Sequence, residues 1–175
     1  MLRLDPRSYL VLAALASAAM LASAHAFERI GGYAPCLLCL RQREVYWIAL
    51  AVSAGGLALL ARNREPLLPR VLPLLLAAVF LTGFAVAVYH AGAEWKIWPG
   101  PTACAGGGSA GVADMEALLR GEGGSIVRCD EVVWSLAGLS MAGWNALISM
   151  GLALAGAAAA LSGLRRRSLG AAHAL

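Results

Sequence analysis

The stretch Val71-Leu-Pro-Leu-Leu-Leu-Ala-Ala-Val-Phe-Leu-Thr-Gly-Phe-Ala-Val-Ala-Val-Tyr-His-Ala-Gly-Ala93 runs for 23 residues without a charged side chain. Crossing about 30 Å of hydrocarbon at about 1.5 Å per helical residue takes roughly 20 residues, so the segment is long enough to span a bilayer as one helix. Three more charge-free runs lie on either side of it: Ser8 to Phe27 (20 residues), Val45 to Ala61 (17) and Val132 to Leu164 (33). The last is too long for one span. Its helix is expected over 142–164, leaving Val132 to Met141, with Trp134, at the interface where Trp is favoured. Pro73 is expected in the first turn of the third helix, where its missing N–H does no harm.

Composition agrees with this reading. Of 175 residues, 60% are hydrophobic and 14% charged, and the mean hydropathy is +0.71; soluble domains carry about 25% charge. These values exclude a disordered chain and a multidomain soluble enzyme. The net charge of +4 does not indicate nucleic acid, because the basic residues sit in short segments between apolar runs rather than on one aromatic-bearing face. The expected fold is all-α: a polytopic membrane protein, one domain over 1–175, with four helices (8–27, 45–61, 71–93, 142–164) in a bundle that contacts membrane lipid. Two loops, 28–44 and 94–141, connect helices on one side. The Ala, Gly and Ser content of the spans lets membrane helices approach closely.

Orientation follows from the short segments. Arg3, Arg7, Arg62, Arg64, Arg70, Arg165, Arg166 and Arg167 place 8 basic residues in 27 positions, against 6 in 69 for segments 27–44 and 91–141. The positive-inside rule therefore puts both termini in the cytoplasm and the two loops outside. Arg3, Arg7 and the Ala24-His25-Ala26 sequence also fit a signal peptide. The apolar stretch between them is longer than the roughly 7–15 residues of a signal core, so a retained helix is expected.

All four cysteines fall in the outer loops: Cys36 and Cys39 as C-x-x-C, and Cys104 and Cys129 with 24 residues between them. Disulfides persist outside the cytoplasm, so this segregation points to thiol–disulfide chemistry. The first pair is expected in the first turn of the second helix, with Pro35 starting it, where the helix dipole favours a thiolate. Arg43 lies four residues after Cys39, on the same face, and is suited to holding a thiolate or an oxygen anion. Glu44 is available to neutralise one neighbouring arginine. In the second loop, the glycines of 105–112 give Cys104 freedom, and Val112, Met115, Leu118 and Leu119 form one side of a short interfacial helix ending at Gly121.

Three other readings compete. A four-cysteine metal site would need a second close pair, so no metal is expected. A disulfide-stapled structural or transporter subunit is disfavoured because C-x-x-C pairs are labile and no intramembrane charge marks a transport path. A thioredoxin-like domain would need alternating strands and helices, and none is legible. Two dithiol pairs on one side suggest a relay, and without haem or Fe–S ligands its terminal acceptor must be lipid-soluble. A quinone beside Cys39 and Arg43 satisfies that requirement.

The stretches Pro35-Cys-Leu-Leu-Cys-Leu-Arg-Gln-Arg43, Tyr89-His-Ala-Gly-Ala-Glu94, Trp98-Pro-Gly-Pro-Thr-Ala-Cys104 and Cys129-Asp-Glu-Val-Val-Trp134, followed by Gly138-Leu-Ser-Met141 and Trp144-Asn145, closely resemble the DsbB family of bacterial inner-membrane disulfide-forming oxidoreductases. The resemblance implies a protein-disulfide:quinone oxidoreductase using ubiquinone or menaquinone. It implies that Cys104 is attacked by a reduced DsbA-like periplasmic partner, that Cys129 resolves this and exchanges with Cys36, and that Cys39 meets the quinone beside Arg43. His90 matches a position near the quinone. Trp134, Trp144 and Asn145 are expected to shape the bundle rather than do chemistry, and His25 and His173 match no functional position.

Overall fold

The computed structural model describes residues 5–62, 67–101 and 128–172. Four long helices form the body: α1 (Pro6–Arg29), α2 (Leu37–Arg62), α3 (Leu68–Glu94) and α4 (Met141–Ala172). Each contains a segment long and apolar enough to cross a membrane, and in α4 it is Met141–Ser162. A small antiparallel hairpin, β1 (Ser135–Leu136) and β2 (Leu139–Ser140), precedes α4. It is the only strand pair among the described residues, and its turn uses Gly138 at φ 80° and Ala137 at φ 53°. The stretch assigned to the interface before the fourth helix thus holds regular structure. Cys104 and the short helix expected over 112–120 lie outside the described residues.

The helices run past the charge-free segments because charged side chains occupy their ends. Asp5 stands at the N-cap of α1 with extended backbone, Pro6 opens the helix and Tyr9 N–H bonds the Asp5 carbonyl at 2.9 Å. Arg29 lies in the last turn, where a cation meets the negative helix end. Pro73 departs from expectation: α3 begins at Leu68, so Pro69 takes the first-turn role and Pro73 lies inside the helix. Starting the span at the last charge, Arg70, hid this extra turn.

In lipid, helices associate by close packing and buried polar contacts rather than by hydrophobicity. Accordingly Tyr9, Leu10, Leu76 and Phe80 are fully buried between helices, while Leu15, Trp47, Ile48, Leu81, Leu154 and Leu161 face outward. The largest interface joins α3 to α4; α1 packs mainly on α2, and α2 also on α3. Tyr9 Oη donates to the Leu152 carbonyl at 3.0 Å, tying α1 to α4. Gly156 permits this approach, since a Cβ there would fall 2.5 Å from the Tyr9 hydroxyl.

Candidate functional site

The turn after α1 delivers the cysteine pair to one end of the bundle. Gly32, at φ 71°, reverses the chain before Pro35. Leu40 N–H bonds the Cys36 carbonyl at 3.1 Å, which makes Cys36 the N-cap of α2 and Cys39 its third residue. The expectation that both thiols share the first turn, with Pro35 starting it, is therefore corrected. Cys36 Sγ does the work of a capping oxygen, accepting the Cys39 N–H at 3.2 Å. The C-x-x-C spacing places Cys39 at the position whose N–H meets this cap.

Cys36 and Cys39 are free thiols with their sulfurs 2.7 Å apart. The hydrogen bond to Cys39 and then burial push the Cys36 thiol well above the usual thiol range. Cys129, which is disulfide-bonded, is buried in the same cluster as Cys36 and Leu38, with Cys39 packed against it. The C-x-x-C pair thus meets a cysteine of the second loop inside the protein rather than in solvent.

A chain of buried polar side chains supports the pair. Asn145 Nδ2 donates to Gln42 Oε1 at 2.6 Å, which leaves the Gln42 amide nitrogen to face His90 Nδ1 at 3.0 Å. That nitrogen can only donate, so Nδ1 accepts and neutral His90 carries its proton on Nε2, facing Cys36 Sγ at 3.7 Å. Tyr46 Oη donates to Asn145 Oδ1 and contacts Ser149 Oγ at 3.1 Å. Ser140 caps α4, accepting the Gly143 N–H at 3.1 Å, while its hydroxyl donates to Glu94. The other oxygen of Glu94 lies 3.8 Å from His90 Nε2, with both side chains only 6% exposed.

Arg43 pairs with Glu28 and donates to the Ala24 carbonyl at 3.1 Å, bracing α2 against α1. Arg41, in contrast, forms an exposed pair with Glu44 at 2.9 Å. A cleft of about 270 Å³ opens beside Cys39, Arg43 and His90. Its other walls are mostly apolar, with Met20, Leu21, Phe27, Trp134, Met141 and Ile148 among them, and Gln42 and Asn145 also reach its lining. Trp134 packs edge-on against Phe27 at 5.1 Å, and Trp144 Nε1 bonds the Leu136 carbonyl at 3.0 Å, so both tryptophans hold the hairpin over the cleft.

The second loop is pinned by charge. Lys96, in the left-handed region at φ 60°, donates to the Asp130 carbonyl at 2.6 Å and its carboxylate at 2.7 Å. Arg128 donates twice to the same carboxylate at 3.0 Å. Hydrogen bonds from Arg128 and then Lys96 hold the Asp130 carboxyl well below the usual carboxylate range. These contacts fix the residue next to Cys129.

The structure brings Cys36, Cys39, Arg43, His90 and Cys129 to one end of the bundle, whereas Cys104 lies outside the described residues. Sequence reasoning missed Gln42, Tyr46, Ser149, Glu28 and Glu94, and read Asn145 as a shaping residue although it anchors the polar chain to Cys36. A signal existed. Gln42 and Tyr46, like Asn145 and Ser149, are polar pairs four residues apart in apolar helices, which places each pair on one face.

Comparison with known proteins agrees with this arrangement. The family described as disulfide bond formation protein DsbB matches residues 6–159. A protein from Polaromonas sp. strain JS666 named Disulfide bond formation protein B is 28% identical over 158 residues, 86% of this chain and 88% of its own. A protein of the same name from Methylococcus capsulatus is 32% identical over 155 residues, covering 83% and 88% of the two chains. No solved structure matches. The chain belongs to the DsbB family of disulfide-forming membrane oxidoreductases.

Proposed function

We propose that the protein reoxidises a DsbA-like dithiol oxidase in the bacterial periplasm and passes the electrons to ubiquinone or menaquinone in the inner membrane, with both termini cytoplasmic. The observation that carries this reading is the placement of the C-x-x-C pair between a buried loop cysteine and an apolar cleft. The cleft fits a quinone: its walls are mostly aliphatic and aromatic, and its polar lining includes Arg43, His90, Gln42 and Asn145. When bound, a quinone supplies a lipid-soluble acceptor for two electrons and two protons. DsbA is a strong oxidant near −120 mV, so its reoxidation needs an acceptor at least as oxidising.

The steps assigned to the chain balance as two-electron exchanges. A partner thiolate attacks Cys104 and breaks a Cys104–Cys129 disulfide; the second partner thiol then closes the partner's disulfide, leaving Cys104 and Cys129 reduced. Cys129 attacks Cys36, breaking the Cys36–Cys39 disulfide and freeing Cys39 as a thiolate. Cys104 closes on Cys129 and releases Cys36, restoring the loop disulfide. Cys39 faces the cleft, near the positive end of α2, and gives up the electron pair there as the Cys36–Cys39 bond reforms. His90 carries an Nε2 proton beside Cys36, at hydrogen-bonding reach of the sulfur that must leave and return.

The test is catalytic loss of quinone absorbance when detergent-purified protein is mixed with reduced DsbA-like partner and a soluble quinone. Cys39→Ser is expected to abolish quinone reduction while the helices remain folded. Normal turnover in that variant contradicts the assignment to Cys39. No turnover by folded wild-type protein with either quinone class contradicts the reading as a whole and favours a disulfide-stapled structural subunit.

A further inference from the structure

Cys36 Sγ, Cys39 Sγ and His90 Nε2 lie within 4.8 Å of one another, and all three are at least half-buried. Glu94 Oε1 stands 3.8 Å from the same histidine nitrogen. Two sulfurs and one imidazole supply three of the four donors of a tetrahedral zinc-type site. We infer that the reduced form of the protein binds a thiophilic divalent cation, zinc or cadmium, through Cys36, Cys39 and His90, with the fourth position left to solvent, and that the bound metal holds the enzyme reduced. Metal binding is independent of the quinone-linked function proposed above, and only the inhibition rests on it.

The distances suit the geometry. Bonds of about 2.3 Å to sulfur and about 2.0 Å to nitrogen at a tetrahedral angle put S and N roughly 3.5 Å apart, against 3.7 Å between Cys36 Sγ and His90 Nε2. Two thiolates on one zinc stand roughly 3.8 Å apart by the same construction, so the sulfurs must open from 2.7 Å. Cys39 borders the cleft and has room to turn.

His90 must also move its proton from Nε2 to Nδ1 before Nε2 can ligate. The polar chain behind it allows this. If the Gln42 amide turns its oxygen to Nδ1–H, the Asn145 amide turns with it. The chain then ends on Tyr46 and Ser149, whose hydroxyls donate or accept equally well. In the turned state His90 donates to a carbonyl oxygen, the usual support for a metal-bound histidine. Binding releases the protons of both thiols, so affinity rises with pH. The oxidised protein has no thiolates to offer there and does not bind.

The experiment is a titration of phosphine-reduced, detergent-purified protein with Co²⁺, read by the thiolate-to-cobalt absorption band, and then by its displacement with Zn²⁺. One Co²⁺ per chain is expected in the reduced protein and no band in the oxidised protein, which serves as the folded control. Replacing Cys104 and Cys129 together by Ser retains the band, Cys36→Ser removes it, and His90→Gln weakens affinity about 100-fold. Equal binding by the oxidised and reduced forms, or unchanged affinity in His90→Gln, overturns the site. In the turnover assay, Zn²⁺ is expected to stop quinone reduction reversibly, with recovery on adding a chelator; full activity in the zinc-loaded protein overturns the inhibition. Co²⁺ binding without any quinone turnover leaves the metal site standing and contradicts the proposed function instead.

Discussion

His90 is joined to α2 and α4 through a single amide. Gln42 accepts from Asn145 and donates to His90, and through it the imidazole is held with Nε2–H toward Cys36. Gln42→Leu keeps the volume but leaves His90 Nδ1 and the Asn145 amide buried without their partner. It is expected to destabilise the protein by about 1–2 kcal/mol, seen as a lower thermal midpoint in detergent; an unchanged midpoint contradicts the role of the amide. Arg43 acts differently, because its partners Glu28 and the Ala24 carbonyl belong to α1. Arg43→His removes the charge-assisted contacts at the cleft wall, and the expected effect is a rise of about tenfold in the KM for quinone. The KM for the dithiol partner should change little. Equal changes in both would mean that Arg43 serves the fold and not the cleft.

At the scale of elements, the end of α3 organises the second loop. Trp98 lies on Gly92, where a Cβ would fall 2.1 Å from the indole; it donates to the Tyr89 carbonyl at 2.8 Å and stacks on Tyr89 at 6.0 Å. Gly92→Ala should expel the ring and cost about 1–3 kcal/mol of stability, read from thermal unfolding. A fully stable Gly92→Ala protein with Trp98 fluorescence unchanged would contradict this packing. Beyond Trp98, Asp130 ties the chain next to Cys129 to Lys96 and Arg128. Its folded carboxyl titrates below the ordinary value. The tie's stabilisation is therefore complete above the unfolded carboxyl pKa, about 3.9, and is lost only as pH falls through the lower folded value. The rate at which a phosphine reduces the Cys129 disulfide should accordingly be insensitive to this group between pH 5 and 8, while Asp130→Asn should speed it. No acceleration would show that the ion pairs do not hold the loop.

For the molecule as a whole, two physical scales separate what the sequence shows from what it conceals. Bilayer thickness sets helix length, so four charge-free runs suffice to reveal four spans and the bundle. Helix ends are less legible, because Arg43 and Glu94 lie within helices yet find ionic or hydroxyl partners there, and because Pro69 and not Pro73 opens α3. The cysteines disclose the chemistry by their segregation into two loops. What spacing along the chain does not display is the rotation of each helix, and rotation alone decides that Gln42 meets Asn145 and His90 meets Cys36. The hairpin escaped notice because two-residue strands carry no periodicity.

The central claim is that electrons pass in order, from the loop pair through the C-x-x-C pair to the quinone. The most direct measurement is quinone reduction by a Cys104→Ser/Cys129→Ser double variant, driven in parallel by the reduced DsbA-like partner and by a small dithiol. Cys39 is partly exposed, so a small dithiol is expected to reach it without the loop pair. The account predicts that partner-driven turnover falls to background while dithiol-driven quinone reduction continues. Undiminished turnover with the partner would contradict it, since the C-x-x-C pair would then receive electrons directly and the second loop would have no part in the relay.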